Sequence, residues 1–498
     1  MKVSIYICSI IALLGITSCD LSEEPYGFYS EDNFYNSASD AEAAITYAYD
    51  ALTFLEYSRT VFFLGDLPTD QCGPKSDEGP DALDLNAWRV ANFSTNASLV
   101  NFFKYAYISI NRANAVLDAL PQSGIDQVSR DAFMGEAYFL RAWSYFNLVK
   151  NFGRIPIHTS FVGTIEQTSS TLATDIDEIY NLILADLKLA VSLMDIGQVT
   201  GRADRVAAQS LAAKVYLHIA SAKAHGVPQY TDSSREVNMM YDSAAYYASE
   251  VVLGQSIYGL DDNLLDIYDV DQPKGPEHIF LMSMDRSGII EGDYSKISKL
   301  FIPYIAGAAI FLDNGDGSFT ESHDGWSVFQ TRDSFYNTFD PSDKRGSELL
   351  VDVVFDREGN EIAAYPGAIP YRFTRKYVDP HYIQDKTSTK PFLLRYSDIA
   401  LVYAEAVGPT EISYELVNAI RNRAGLEDLT SGLSLEEFRE AVWNERGWEL
   451  MYEGNRLYDL RRFNRVNKMV DEASSLSDEQ VAFYPLPQIE LDLNRAIQ

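Results

Sequence analysis

Cysteine is scarce, with 3 in 498 residues, and so small a number excludes a disulfide framework. Base is short as well. Lys and Arg total 40 against 72 Asp and Glu, a formal net charge of −32. A chain this acidic repels phosphate backbones, which excludes nucleic acid as the expected partner. The six histidines are dispersed, with His218 and His225 the nearest pair, so no imidazole cluster suggests a metal. No Gly-x-Ser-x-Gly elbow, P-loop or His-Glu-x-x-His is present, which removes the common hydrolase, nucleotide-binding and zinc-protease signatures. Beyond residue 16 no apolar run reaches the roughly 20 residues a membrane-spanning helix needs.

The chain does have a short apolar segment at 5–16, with Lys2 ahead of it and Ile16-Thr17-Ser18-Cys19 behind it. This pattern reads as a signal peptide, residues 1–18, ending in small residues. Cys19 at that place resembles the lipobox of bacterial lipoproteins, where the thiol is acylated and becomes the mature N-terminus. The resemblance implies export and a lipid anchor, each buried methylene contributing roughly 0.8 kcal/mol. Asp20, Leu21, Ser22, Glu23 and Glu24 resemble the acidic tag that sends some lipoproteins to the outer face of the outer membrane. Cys8 leaves with the leader, so Cys72 is the one thiol left, and it is expected to be inert.

Hydrophobic residues make up 46% of the chain, which fits a folded protein with a large core. Residues 19–38 read as an extended tether. Ser39, with Glu42 three residues on, is the expected cap of a first helix. Helical periodicity follows at 99–120 and at 129–149, the latter apolar nearly all round and so expected to be buried. Ile176, Ile179, Ile183, Leu187, Ala190 and Met194 define an amphipathic helix. Ala208, Leu211, Ala212, Val215 and Ile219 define another, and Ala244, Ala248 and Val251 its partner. Helices joined by short turns suit a repeat scaffold in which each pair buries its face on the next. Without a clean 34-residue consensus, the expectation is an all-α, tetratricopeptide-like fold with degenerate repeats. From 254 to 391 periodicity fades, and Gly, Pro and Asp become frequent. Helices resume at 393–406, 411–423 and 434–452. Helices on both sides of the irregular stretch predict one domain, 39–498, with a loop-rich insertion at about 255–392.

The 434–452 helix opens with a capping box, Ser434 to Glu437. Its apolar stripe of Leu435, Phe438 and Val442 continues into Glu445 and Glu449. Two carboxylates on a buried face need partners, and Arg446, Arg456, Arg461 and Arg462 are close in sequence. The sharper alternative is a catalytic acid/base pair, as in glycoside hydrolysis. Neighbouring arginines would depress those carboxylates, whereas a general acid needs the opposite. Asp313-Asn314-Gly315-Asp316-Gly317 resembles a calcium loop but lacks the acidic spacing and the distal Glu, so a plain turn is expected and no cofactor is assigned.

Several segments resemble the SusD/RagB outer-membrane lipoproteins. They include Gly135-Glu136-Ala137-Tyr138-Phe139-Leu140-Arg141-Ala142 with Phe152-Gly153-Arg154-Ile155-Pro156, then Asp186-Leu187 and Ala213-Lys214-Val215-Tyr216-Leu217. Phe339-Asp340-Pro341-Ser342-Asp343-Lys344-Arg345 and Leu394-Arg395-Tyr396-Ser397-Asp398 with Ala404-Glu405-Ala406 follow in order. Val417-Asn418-Ala419-Ile420-Arg421, Glu445-Arg446, Glu453-Gly454-Asn455-Arg456, Asp459-Leu460-Arg461-Arg462 and Tyr484-Pro485-Leu486-Pro487 complete the series. Asn494-Arg495 departs from the usual Asn-Pro. The resemblance implies a non-enzymatic surface lipoprotein that caps a SusC-like TonB-dependent transporter and captures an oligosaccharide or polysaccharide, or in some members a peptide. A surface glycosidase is the reading from another class.

Sugar rings offer apolar faces and hydroxyl edges, which suit aromatic platforms flanked by carboxylates or amides. Candidates lie in the two irregular stretches: Asp70, Trp88 and Asn92 in the first, Tyr294, Tyr304, Trp326 and Phe329 in the second. Trp88 and Trp326 rank highest because their surroundings are polar and rich in Asp.

Overall fold

A computed structural model describes residues 35–305 and 309–497. The leader, Cys19 and the tether up to residue 34 lie outside the described residues. The architecture is mainly helical, with 50% helix and 9% strand.

The first helix, α1 (Ala38–Thr53), is capped by Ser37, two residues before the expected cap. Ser37 accepts from the Asp40 amide, and the Asp40 carboxylate takes the Ser37 amide at 2.8 Å. Asp40 thus does at the third helical position what Glu42 was expected to do, and Glu42 pairs with Arg202 at 2.5 Å instead. Helices α2 (Ala97–Ala119), α3 (Gln127–Phe152), α4 (Ile176–Leu193), α5 (Arg205–Ala224) and α6 (Val237–Val252) follow. Asn96, Asp126, Asp175 and Asp204 cap α2 to α5 with side-chain oxygens. Helix α3 ends at Gly153, whose φ of +67° disfavours any other residue. Neighbours along the chain pack on one another: α1 on α2, α2 on α3, α3 on α4, α5 on α6. After the excursion come α7 (Tyr396–Val407), α8 (Glu411–Arg423), α9 (Leu435–Glu449) and α10 (Arg456–Arg462). The Ser434–Glu437 capping box forms as read from the sequence.

The excursion is not irregular throughout. Strand β1 (Cys72–Pro74) pairs antiparallel with β5 (Phe329–Thr331), and β2 (His278–Leu281) with β10 (Phe392–Arg395). Strands β3 (Ile310–Asp313), β4 (Phe319–Ser322), β7 (Val353–Phe355) and β8 (Glu361–Ala364) form a sheet in the order 4-3-7-8, while β6 (Leu350–Val351) pairs with β9 (Phe373–Thr374). Residues 393–395, expected to open a helix, are therefore strand. A short, continuous apolar run reads alike for a buried strand and a buried helix. The candidate calcium loop is the turn between β3 and β4. Asp313 and Asp316 there accept the amides of Gly315 and Ser318.

One apolar cluster runs from Ala41 to Tyr484 and joins helices from both sides of the excursion. A smaller one, with Ile310, Leu312, Val354 and Phe373, lies under the four-stranded sheet. Between helices and excursion sits a buried ionic network. Arg395 donates to Glu453 at 2.7 Å and to Glu277 and Glu449 at 2.8 Å. Arg423 reaches Glu449 at 2.6 Å and also holds Glu277. Arg345 pairs with Asp343 at 2.8 Å and Glu445 at 2.6 Å, and Lys376 with Glu453 at 2.7 Å. Desolvation alone would push the Glu449 carboxyl up, but Arg423, Arg395 and Arg345 hold it well below the usual range. The Asp398 carboxyl is likewise lowered against its burial by Lys214 and Arg446. These are ion-pair carboxylates, as the reading of an Arg–Glu network expected. The partners of Glu445 and Glu449, however, are the distant Arg345, Arg395, Arg421 and Arg423. The sequence-near Arg446, Arg456 and Arg462 pair instead with Asp398, Asp459, Asp70 and Glu405.

A tight backbone crossing lies beside this network. A Cβ on Gly65 would fall 2.3 Å from the Gly454 carbonyl oxygen, so no side chain fits there. The next residue, Asp66, is fully buried and accepts the Gly454 amide at 3.0 Å through one oxygen, while the other has no partner. Burial first, and Glu453 next, push its carboxyl well above the usual range.

Two outcomes are expected. Arg395→Met leaves three carboxylates without their shared cation and lowers stability by about 3–5 kcal/mol, read by chemical denaturation; a loss under 1 kcal/mol contradicts the network's role. A raised carboxyl contributes stability below its unfolded pKa and loses it as pH rises through the folded value. Asp66→Asn therefore stabilises the protein at pH 7 by about 1 kcal/mol or more. The gain shrinks toward pH 4 in paired denaturation curves, and a pH-independent effect would refute the assignment.

Candidate functional site

Strand pairing between β1 and β5 brings the two irregular stretches together, with Cys72 opposite Thr331 and Pro74 opposite Phe329. It does not bring the seven candidate side chains together. Trp88 is 3% exposed, stacks on Tyr484 with centroids 6.2 Å apart, and donates its indole N–H to the Pro68 carbonyl at 3.0 Å. Phe329 is 1% exposed and packs on Phe301 and Phe63. Both are core residues, a correction to the reading from polar neighbours in sequence. Asp70 is held by both arms of Arg456 at 2.8 and 2.6 Å, and Asn92 donates to Asp84 at 2.8 Å. Asp70 is half-buried and Asn92 is exposed, and each is engaged by its own neighbours. Cys72 is buried, its thiol pushed well up by burial and by Asp66, and so inert.

The other three candidates belong to the second stretch. Tyr304 is 68% exposed, and Trp326 and Tyr294 are half-buried. Their placement follows from a zipped turn. The Gly325 amide donates to the Pro303 carbonyl at 2.9 Å, Ser327 to Ile302 at 3.1 Å, and the Tyr304 amide to the Ser327 hydroxyl at 3.0 Å. Gly325 is required there, because a Cβ would fall 2.0 Å from the Ile302 carbonyl oxygen. Ser327 adopts a φ of +63°, which turns the chain back immediately after Trp326. The Trp326 amide is tied to the Lys299 carbonyl at 2.6 Å. Tyr294 is placed by the reciprocal Ser295–Thr387 backbone pair, both bonds 2.9 Å long.

Cations crowd the two flat rings. The Arg59 guanidinium is 5.1 Å and the Lys299 ammonium 5.8 Å from the Trp326 ring centre. Lys386 and Lys296 are 4.8 and 5.9 Å from that of Tyr294. Glu291 links the rings, pairing with Arg59 and lying 3.8 Å from Lys296.

A second aromatic group lies after β5, and the sequence reading missed it. Arg372 is sandwiched between Tyr336 at 3.7 Å and Tyr365 at 4.4 Å, and Asp333 binds both Arg372 and the Tyr365 hydroxyl. Its members are dispersed along the chain and share no spacing, so no sequence signal marked them. A roomy cleft lies elsewhere. It holds about 840 Å³ between α2, the 156–168 segment and the C-terminal residues. Its walls are mostly apolar. Of its polar lining, Asn111 and Arg112 are engaged with Val162 and with Tyr47 and Asp50, while Lys104, His158, Thr168 and Glu490 also face it. No group of three or more His, Cys, Asp or Glu among the described residues is placed to hold a metal.

A helical scaffold that carries an aromatic, charged surface on loops, with most of its internal carboxylates locked in ion pairs, suits binding. Comparison with known proteins agrees. Residues 356–498 match the family model described as the SusD family, and residues 32–217 match one described as starch-binding associating with outer membrane. SusD-like protein P2 of Formosa agariphila is 25% identical over 97% of this chain and 96% of its own. A SusD homologue from Bacteroides thetaiotaomicron superposes with a TM-score of 0.77 at 20% identity, over 94% of this chain and 97% of that one. A laminarin-binding SusD-like protein does so with a TM-score of 0.75 at 22% identity, over 93% and 99%. The chain belongs to the SusD/RagB family, whose members are non-catalytic binding proteins.

Trp88→Ala is expected to cost about 3–5 kcal/mol of stability, as for other buried tryptophans. Trp326→Ala is expected to cost less than about 1 kcal/mol. Denaturant midpoints of the two variants check the assignment, and equal losses would contradict it.

Proposed function

We propose that this protein captures an oligosaccharide or polysaccharide at the cell surface and passes it to a SusC-like TonB-dependent transporter. In this reading, residues 39–498 act as one SusD-like domain, held at the outer membrane by acyl chains on Cys19. The observation that carries the reading is the zipped turn presenting Tyr304 and Trp326, with Tyr294 alongside, as flat apolar surfaces among charged hydrogen-bonding groups. The fold shared with a laminarin-binding relative supports it, as does the family model's outer-membrane description.

The energetics are adequate. Covering half of an indole removes about 100 Å² from water, worth roughly 2–3 kcal/mol before ordering costs. Two or three such platforms give binding in about the micromolar to millimolar range. The backbone bonds that fix Tyr304 and Trp326 exist without ligand, so little further ordering is needed. Peptide capture would call for a sheet edge or cleft presenting unpaired backbone groups, and this face presents rings instead.

Trp326→Ala and Tyr304→Ala are each expected to weaken binding of the cognate oligosaccharide by roughly tenfold or more while leaving the fold intact. A glycan array identifies that ligand, and calorimetry measures the loss. Unchanged affinity in both variants would remove this surface from the site.

A further inference from the structure

The charge around Tyr294 and Trp326 runs against that of the chain as a whole. Acids outnumber bases 72 to 40 overall. Yet four cations, Arg59, Lys296, Lys299 and Lys386, lie within 6 Å of the two ring centres. Two of them are consumed locally: Arg59 pairs with Glu291, and Lys299 with Asp385 at 2.6 Å. The other two are not. Lys386 donates to the Gly288 carbonyl at 2.7 Å and has no carboxylate in ion-pair distance among the described residues. Among the described residues Lys296 has no carboxylate nearer than the second oxygen of Glu291, at 3.8 Å, whose other oxygen holds Arg59, and it acts on Asp385 only from beyond ion-pair distance. The remaining carboxylate of this loop, Asp293, faces the amides of Ile289 and Ile290. Asp324, beside Trp326 in sequence, sits near His323 and the Lys299–Asp385 pair.

We propose that the glycan taken at this surface is anionic, its negative groups being uronate carboxylates or sulfate esters. This rests on the glycan-binding reading above and narrows it. Sugar rings stack on Tyr294 and Trp326, and an anionic substituent reaches the ammonium groups of Lys296 and Lys386. A neutral saccharide would leave both ammonium groups without an anion while it covers the rings beside them, and covering cations without pairing them costs affinity. A chain of net charge −32 repels polyanions at long range. That repulsion is screened within about 8–10 Å at physiological ionic strength, so the local pair of lysines governs the contact.

The test is calorimetry on the intact soluble domain with three probes: a neutral laminarin oligosaccharide, an oligogalacturonate and a sulfated carrageenan oligosaccharide. The double variant Lys296→Ala/Lys386→Ala and the single variant Trp326→Ala accompany the wild type, with thermal melts as a fold control. At least one anionic probe is expected to bind roughly tenfold or more tighter than the neutral one, as charge-assisted hydrogen bonds allow. Its affinity is expected to fall about tenfold in the lysine double variant and to weaken with added sodium chloride. Preference for the carboxylated or for the sulfated probe decides between the two sources of charge. Neutral binding that Trp326→Ala abolishes and the lysine variant leaves unchanged overturns the anionic ligand and keeps the glycan reading. Anionic binding indifferent to salt and to both lysines also overturns it. Binding of none of the three probes counts against both.

Discussion

Arg395 holds the molecule's two halves to each other. It ends the last strand of the excursion, immediately before α7, and its guanidinium meets carboxylates from β2's leading edge, from α9 and from the turn after α9. Buried charge is tolerable only with full pairing. The pairing here is dense: Glu449 alone accepts from Arg395, Arg423 and Arg345. No single member can be placed without the others, so the helices after residue 396 and the strands before it lock into one relative position. The loops that carry the aromatic surface inherit that position through Phe301, which packs on Phe329 and Tyr377.

The aromatic surface is thus an outgrowth of the core. Phe329 is buried and Trp326, three residues earlier, is not. The difference is made by the left-handed Ser327 between them and by the glycine that lets residue 325 approach the Ile302 carbonyl. Both Tyr304 and Trp326 have their backbone amides committed, so the chain beneath the rings is set in the free protein and binding need order only the side chains.

Much of the helical frame could be read from the sequence, because apolar spacing of three and four residues is a local signal. The helix at 176–193 appeared where its apolar stripe placed it and the one at 411–423 within its expected bounds. That Glu445 and Glu449 need cations followed from two acids on an apolar stripe; which cations did not, because Arg345, Arg395, Arg421 and Arg423 come from other elements. The strands β2 and β10 were hidden because a four-residue apolar run carries no period. The candidate surface was half legible. Tyr304 and Trp326 were recognisable as aromatics in a loop-rich region. Trp88, with equally polar neighbours in sequence, is buried because the distant Tyr484 covers it. The sandwich of Arg372 between Tyr336 and Tyr365 depends on the return of the chain beside β5, which nothing local encodes.

The Arg–Glu seam also bears on how the protein responds to heat. Charged groups lose hydration free energy as temperature rises, so the cost of keeping them dry falls while apolar burial gains little more. The joint between helices and loops then weakens later than the purely hydrophobic layers around it. On warming, the rings that face solvent stay in register with their frame until the frame itself gives way.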